Sequence, residues 1–201
     1  MAFDWLTGNN LPQFWKNYLS FFDDEDKGSK KRFVVFDMET TGLDWKEDIV
    51  LSIGAIGISG NAIEVGDYFE TFIQQDKYNT HSVAGGSILK NNEEEKVIEA
   101  EALIQFLNYA KDATLVGHNI NLDIEMLNQA LKRLDLGRIK NPIMDTNALY
   151  IRWKNLPDDT LVTLDELCDA LKIRKAVRNT ASGNAYITAL IFLKLKQKLS
   201  I

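Results

Sequence analysis

The amino-acid sequence predicts an α/β fold, a mixed sheet flanked by helices, and three observations carry that expectation. Three apolar runs rich in β-formers open the body between residues 33 and 74. Helical and extended periods then alternate as far as residue 144, and the remainder reads as helix. There are no internal repeats.

The elements follow in order. Leu11, Phe14, Trp15, Tyr18, Leu19 and Phe22 fall at helical spacing and form one apolar stripe. Asn10 is placed to cap that helix, and Pro12 fits its first turn. Two readings are open for it: a helix folded back onto the body with Phe14, Trp15 and Tyr18 mostly buried, or a docking helix for a partner. The acidic run 23–26 and the basic stretch 27–32 then read as a charged linker. Phe33 to Phe36 is a short buried strand, and Ile49 to Ile58, apolar on both faces, a central one. Ser59-Gly60-Asn61 is a turn signal, which makes Ala62 to Gln74 the hairpin partner. Residues 93–110 carry Val97, Ala100, Leu103, Ile104, Leu107 and Ala110 at helical spacing. Thr114 to Gly117 is a fourth strand, and Asn121 is placed to cap the helix that carries Leu122, Met126, Leu127 and Leu131. Pro142-Ile143-Met144 suggests a fifth strand, with Asp145 or Thr146 opening the next helix. Thr163 and Glu166 have capping-box spacing. A last helix runs from about Ala181 to Leu199, with Ala181, Ala185 and Ala189 forming a small-residue face.

Composition narrows the function. The chain's 201 residues suit one domain with a short extension, here 1–32 as helix and linker and 33–201 as the body. At 45% hydrophobic and 26% charged it can bury a real core. No apolar run reaches membrane-helix length and the start lacks a signal-peptide layout, so a cytoplasmic location without membrane partners is expected. Cys168 is the single cysteine, which excludes an internal disulfide. A net charge of −6 excludes a general attraction to nucleic acid, so any such role must come from a local site.

Acidic residues at strand ends supply the candidate. Asp37 and Glu39 sit two apart at the end of an apolar strand, so both point to one face. Two adjacent carboxylates are costly to bury unless a cation neutralises them, and oxygen-only ligands favour Mg²⁺ or Mn²⁺; two solvated carboxylates at a strand end are the plainer alternative. In Gly117-His118-Asn119-Ile120-Asn121-Leu122-Asp123 the acid falls in the first turn of a helix, where the dipole alone also favours it.

Together, Asp-x-Glu-Thr-Thr-Gly-Leu-Asp from Asp37 and Gly-His-Asn-x-x-x-Asp from Gly117 resemble the first two motifs of the DEDD-type 3′–5′ exonucleases. That superfamily includes the proofreading epsilon subunits of bacterial replicative polymerases, ribonuclease T and oligoribonuclease. The resemblance covers roughly Phe33 to Leu199. It implies a ribonuclease H-like three-layer fold, with a five-stranded mixed sheet between helices, and two-metal hydrolysis at a nucleic-acid 3′ end. By this likeness Asp37 bridges two Mg²⁺ or Mn²⁺ ions, Glu39 serves the nucleophile-side ion and Asp123 holds the other. Thr41 and Leu43, with His118 and Asn119, match positions around the terminal nucleotide. The implied partners are a single-stranded DNA 3′ end, RNA being the alternative, and a polymerase or another replication or repair protein.

The family's third motif has a His, four residues and an Asp at the start of the last helix. Here Asn179 stands at the general-base position and Asn184 at the metal-ligand position. Asparagine takes no proton near neutral pH, and a positioned base contributes roughly 10²–10⁴ in rate. Asn184 lacks the charge that binds a hard cation tightly. Tyr186 lies beyond the motif and reads as a helix residue, and His81 is far from it in sequence. The resemblance therefore leaves two readings: an exonuclease domain of strongly reduced activity, or a non-catalytic relative that binds a 3′ end or a protein partner.

Overall fold

In the computed structural model, which describes residues 11–23, 32–75, 95–175 and 180–201, β1 (Arg32–Thr40) is an inner strand of a six-stranded sheet. β2 (Val50–Ser59) and β3 (Ala62–Ile73) extend the sheet on one side as an antiparallel meander. β5 (Thr114–Gly117) and β6 (Ile143–Asp145) extend it in parallel on the other. The turn between β2 and β3 is the Gly60–Asn61 pair, with Gly60 in the left-handed region at φ 60°. The five expected strands are present. The sixth, β4 (Lys96–Val97), is two residues long and pairs in parallel with the end of β3. That pairing takes Val97 out of the expected helix, so α2 spans Glu99–Ala110.

The helices cover both faces. α2 and α3 (Asn121–Arg133) lie on one side, where Val34, Phe36 and Met38 of β1 join Phe106, Leu107, Leu127 and Leu131 in one cluster. Phe33 and Val35 point the other way, towards α4 (Thr146–Lys154), α5 (Leu164–Leu171) and α6 (Ala181–Leu199), among Leu149, Leu167, Ile187 and Phe192. Alternation along β1 therefore sends Asp37 and Glu39 to the α6 face. Thr163 and Glu166 form the expected capping box of α5. The three small residues of α6 are fully buried, and its contacts fall mainly on β2 and β1.

α1 (Gln13–Ser20) places Trp15 and Tyr18 in the α2–α3 cluster, while Phe14 is only half-buried and Leu11 is exposed. Tyr18 donates its hydroxyl proton to Asn141 Oδ1 (2.8 Å) and accepts from the Lys140 N–H (2.7 Å). Burial pushes its phenol up to about 12. The described part of the helix is thus folded onto the body. Asn10 and most of the linker lie outside the described residues. Among the described residues no helix is long and apolar enough to cross a membrane.

Candidate active site

The carboxylates predicted from the sequence gather where the parallel strands β1, β5 and β6 end. Asp37 and Glu39 come from β1, Asp123 from the first turn of α3, and Asp145 from the last residue of β6. Asp123 is buried and its carboxyl is held well above the usual aspartate range, first by burial and then by the charges of Asp37 and Asp145. Burial also raises Glu39. Directly opposite Glu39, in register on β2, stands the buried Ser52.

Asn184 completes the group from α6. Its side-chain Nδ2 donates to Asp37 Oδ2 at 3.1 Å. Its Oδ1 is buried and has no hydrogen-bond partner among the described residues. α6 comes this close because Gly54, the register partner of Asp37, has no side chain; a Cβ there would collide with the backbone of Ala181 and Ser182. Thr180 caps the helix by accepting from the Gly183 N–H at 3.0 Å. Asn179 and His81 lie outside the described residues.

The loop from Gly117 to Asn121 is held by a residue that sequence reasoning treated only as a helix start. Asp145 accepts from the N–H groups of Asn119 (3.2 Å) and Ile120 (3.1 Å), and it also caps α4 through the Asn147 N–H (2.7 Å). This is why Asn121 is the first residue of α3 rather than its cap: Ile120 takes the cap position without a side-chain bond. Asn119 has φ 54°, a left-handed conformation that asparagine tolerates. The Thr146 hydroxyl donates to the Gly117 carbonyl (3.1 Å) and lies 3.0 Å from His118 Nδ1. A hydroxyl has one proton, so Nδ1 of His118 must be the donor in that pair. An acid at a strand end, the signal that exposed Asp37, was equally present at Asp145.

Thr41 and Leu43 frame the approach. The Thr41 hydroxyl donates to Asp48 (2.7 Å) and accepts from the Ile49 N–H (3.1 Å), so it shapes the 41–49 loop. Leu43 stands 81% exposed near its tip.

The donor set suits a hard divalent cation in part. Asp37 and Asp123 are carboxylates whose charges act on each other, and the partnerless Asn184 Oδ1 is a further oxygen close by. Among the described residues, however, no three Asp, Glu, His or Cys side chains converge into a ready-made cage. A cation here would therefore complete its shell with water or substrate oxygens, as Mg²⁺ ordinarily does.

Comparison with known proteins agrees with the fold. Residues 34–192 match the RNase T family, whose description is exonuclease. The DNA polymerase III PolC-type of Caldanaerobacter subterraneus subsp. tengcongensis is 34% identical over 172 residues, which cover 83% of this chain and 12% of that protein. The PolC-type polymerase of Clostridium perfringens is 30% identical over 205 residues, or 98% of this chain and 13% of that protein. The chain thus spans a small fraction of these relatives' length. Among solved structures, the E. coli exonuclease I complex with a dA16 oligonucleotide superposes with a TM-score of 0.72 at 17% identity, covering 85% of this chain and 42% of that one. Its zinc-bound complex with single-stranded DNA gives 0.71 at 16%, covering 86% and 42%. At such identity the likeness is one of fold.

Proposed function

Because the chain belongs to the RNase T exonuclease family, we propose that it engages the 3′ end of single-stranded DNA at Asp37, Glu39 and Asp123 and hydrolyses it in the 3′–5′ direction at a strongly reduced rate. The observation that carries the reduced rate is the Asn184 amide bonded to Asp37 Oδ2 at 3.1 Å. A donor occupies one oxygen of the carboxylate assigned to bridge the cations.

Each residue then has a task. Asp37 and Asp123 hold Mg²⁺ or Mn²⁺, and Glu39 adds a third carboxylate on the same face of β1. A divalent ion at these carboxylates supplies charge stabilisation for the attacking and leaving oxygens. Leu43, exposed at its loop, offers an apolar wedge beside the terminal base. His118 and Asn119, fixed through Thr146 and Asp145, line the approach. Asn179, at the family's base position, has no basic site for the proton of an attacking water. A single strand is favoured because the pocket takes an unpaired terminal nucleotide. The PolC-type relatives and the exonuclease I complexes with single-stranded DNA support a polymerase-linked role on DNA.

A binding module without catalysis is the second reading, and the same amide contact favours it. Release of 5′-monophosphates from a labelled single strand separates the two. A slow, Mn²⁺-dependent release that Asn179→His/Asn184→Asp raises by roughly 10²-fold or more supports the enzyme. A double variant as inert as the parent, while both still bind the strand, leaves the module. Turnover at enzyme-like rates by the unaltered chain overturns the roles given to Asn179 and Asn184.

A further inference from the structure

We infer that this site holds one divalent cation, between Asp37 and Asp123, and that the Asn184 amide takes the place of a second. The inference rests on the functional reading above but makes a separate claim, about cation stoichiometry.

Asp37 offers two oxygens. One of them, Oδ2, already accepts a proton from Asn184 Nδ2 at 3.1 Å. The orientation of that amide is fixed by chemistry: exchanging its nitrogen and oxygen would set two acceptors against each other with no proton between them. The opposite end, Oδ1, is left buried without a hydrogen-bond partner among the described residues. Leaving an acceptor in that condition is costly, so the contact with Asp37 is what holds the amide in place. A second cation on Oδ2 would have to displace the donor and turn the amide around. In return it would gain a neutral oxygen where a hard ion favours a carboxylate.

The first cation meets no such obstacle. Asp37 keeps one oxygen outside the amide contact, and Asp123 lies near enough for the two charges to act on each other. Two carboxylates with water or phosphate oxygens are an ordinary shell for Mg²⁺. The lack of a three-residue acidic cage among the described residues agrees with that count. α6 cannot readily retreat to widen the site, because its first turn rests on Gly54 and is tied to Glu70 of β3 through Ser182.

Mn²⁺ is the probe, read by isothermal titration and low-temperature electron paramagnetic resonance on the full chain. One ion per chain with an uncoupled six-line spectrum is the expected result. Asn184→Asp should bind two, with an exchange-coupled spectrum, and Asp37→Asn should lose both. If Asn184→Asp fails to fold, Asn184→Ala still decides: it should keep one Mn²⁺ with affinity within roughly tenfold of the parent. A larger loss in Asn184→Ala would make Asn184 a ligand of the retained ion and overturn the inference. So would two coupled ions in the unaltered chain, or no binding at all. Two ions in a chain inert on DNA would sink this claim and spare the functional reading. One ion in a chain that turns over at enzyme-like rates would do the reverse.

Discussion

Replacing Asn184 by aspartate should destabilise the cation-free protein by about 2–4 kcal/mol at pH 7. The magnitude follows from the 3.1 Å contact between Asn184 Nδ2 and Asp37 Oδ2. Asn184→Asp removes a hydrogen bond to a charged acceptor, worth roughly 1.5–3 kcal/mol. It also sets a second carboxylate against Asp37, and two charges about 4 Å apart at an effective dielectric of about 20 repel by roughly 4 kcal/mol. Protonating one of the pair offers an escape. Raising a carboxyl by about three pKa units costs some 4 kcal/mol at neutral pH, so the escape caps the penalty without abolishing it. Urea denaturation in EDTA measures the loss, with Asn184→Ala alongside to isolate the hydrogen-bond part. The excess of Asn184→Asp over Asn184→Ala should shrink at pH 5.5, where one proton bridges the pair, and vanish in millimolar Mn²⁺, which binds only the folded site. Equal stability of the two variants in EDTA at pH 7 would show that residue 184 does not face Asp37, and the reasoning about the site would fall.

Three further outcomes are expected. Tyr18→Phe should cost roughly 1–3 kcal/mol in denaturant melts, because it strips the buried Lys140 N–H and Asn141 of their partner; an unchanged midpoint would show that α1 contributes nothing to the body. Gly54→Ala should cost about 1–3 kcal/mol and weaken Mn²⁺ binding together, since its Cβ meets the α6 backbone rather than a yielding side chain; a destabilised variant with unaltered Mn²⁺ affinity would uncouple α6 from the site. Asp123 and Glu39 both have carboxyls raised in the folded state, so the folded chain keeps protons that the unfolded chain has released, and cation-free stability should fall as pH rises from the ordinary carboxylate range through the raised values. Asp123→Asn should flatten that slope in EDTA, and a slope that persists unchanged would remove Asp123 from its cause.

Much of this was legible because it depends on local periodicity. Alternation along β1 divided Val34, Phe36 and Met38 from Phe33 and Val35, and it put Asp37 and Glu39 on one face before any coordinates were at hand. The capping box at Thr163 and the bounds of α6 are equally local. What escaped depends on partners distant in sequence. Lys96 and Val97 form a strand only because β3 ends beside them, and helical spacing alone included Val97 in α2. Asn121 has the chemistry of a cap, yet Asp145 takes the N–H groups of the preceding loop from across the sheet. The stripe in residues 11–22 predicted the burial of Trp15 and Tyr18, but not that Phe14 would remain at the edge.

The substitution at residue 184 also bears on how a damaged active site can sit in an undamaged fold. Carboxylates gathered at strand ends destabilise a protein that lacks its cation, and here burial and mutual charge already raise Asp123. An aspartate at 184 would add to that load and make folding depend on cation supply. An asparagine relieves it, because its amide donates to Asp37 instead of repelling it. The same exchange lowers the site's charge and its hold on a second ion. Loss of catalytic power and gain of cation-free stability are thus two effects of a single amide, as expected where a functional site is a local source of strain. The argument orders the two Asn positions. Asn184 confers a stabilising contact of its own, whereas nothing at the base position requires a neutral side chain for stability. Asn179→His alone should therefore leave cation-free stability within about 0.5 kcal/mol of the parent, the usual range for substitutions that disturb no buried partner. Urea melts of the two single variants in EDTA decide it: an Asn179→His penalty as large as that of Asn184→Asp would mean that both asparagines relieve the same buried charge.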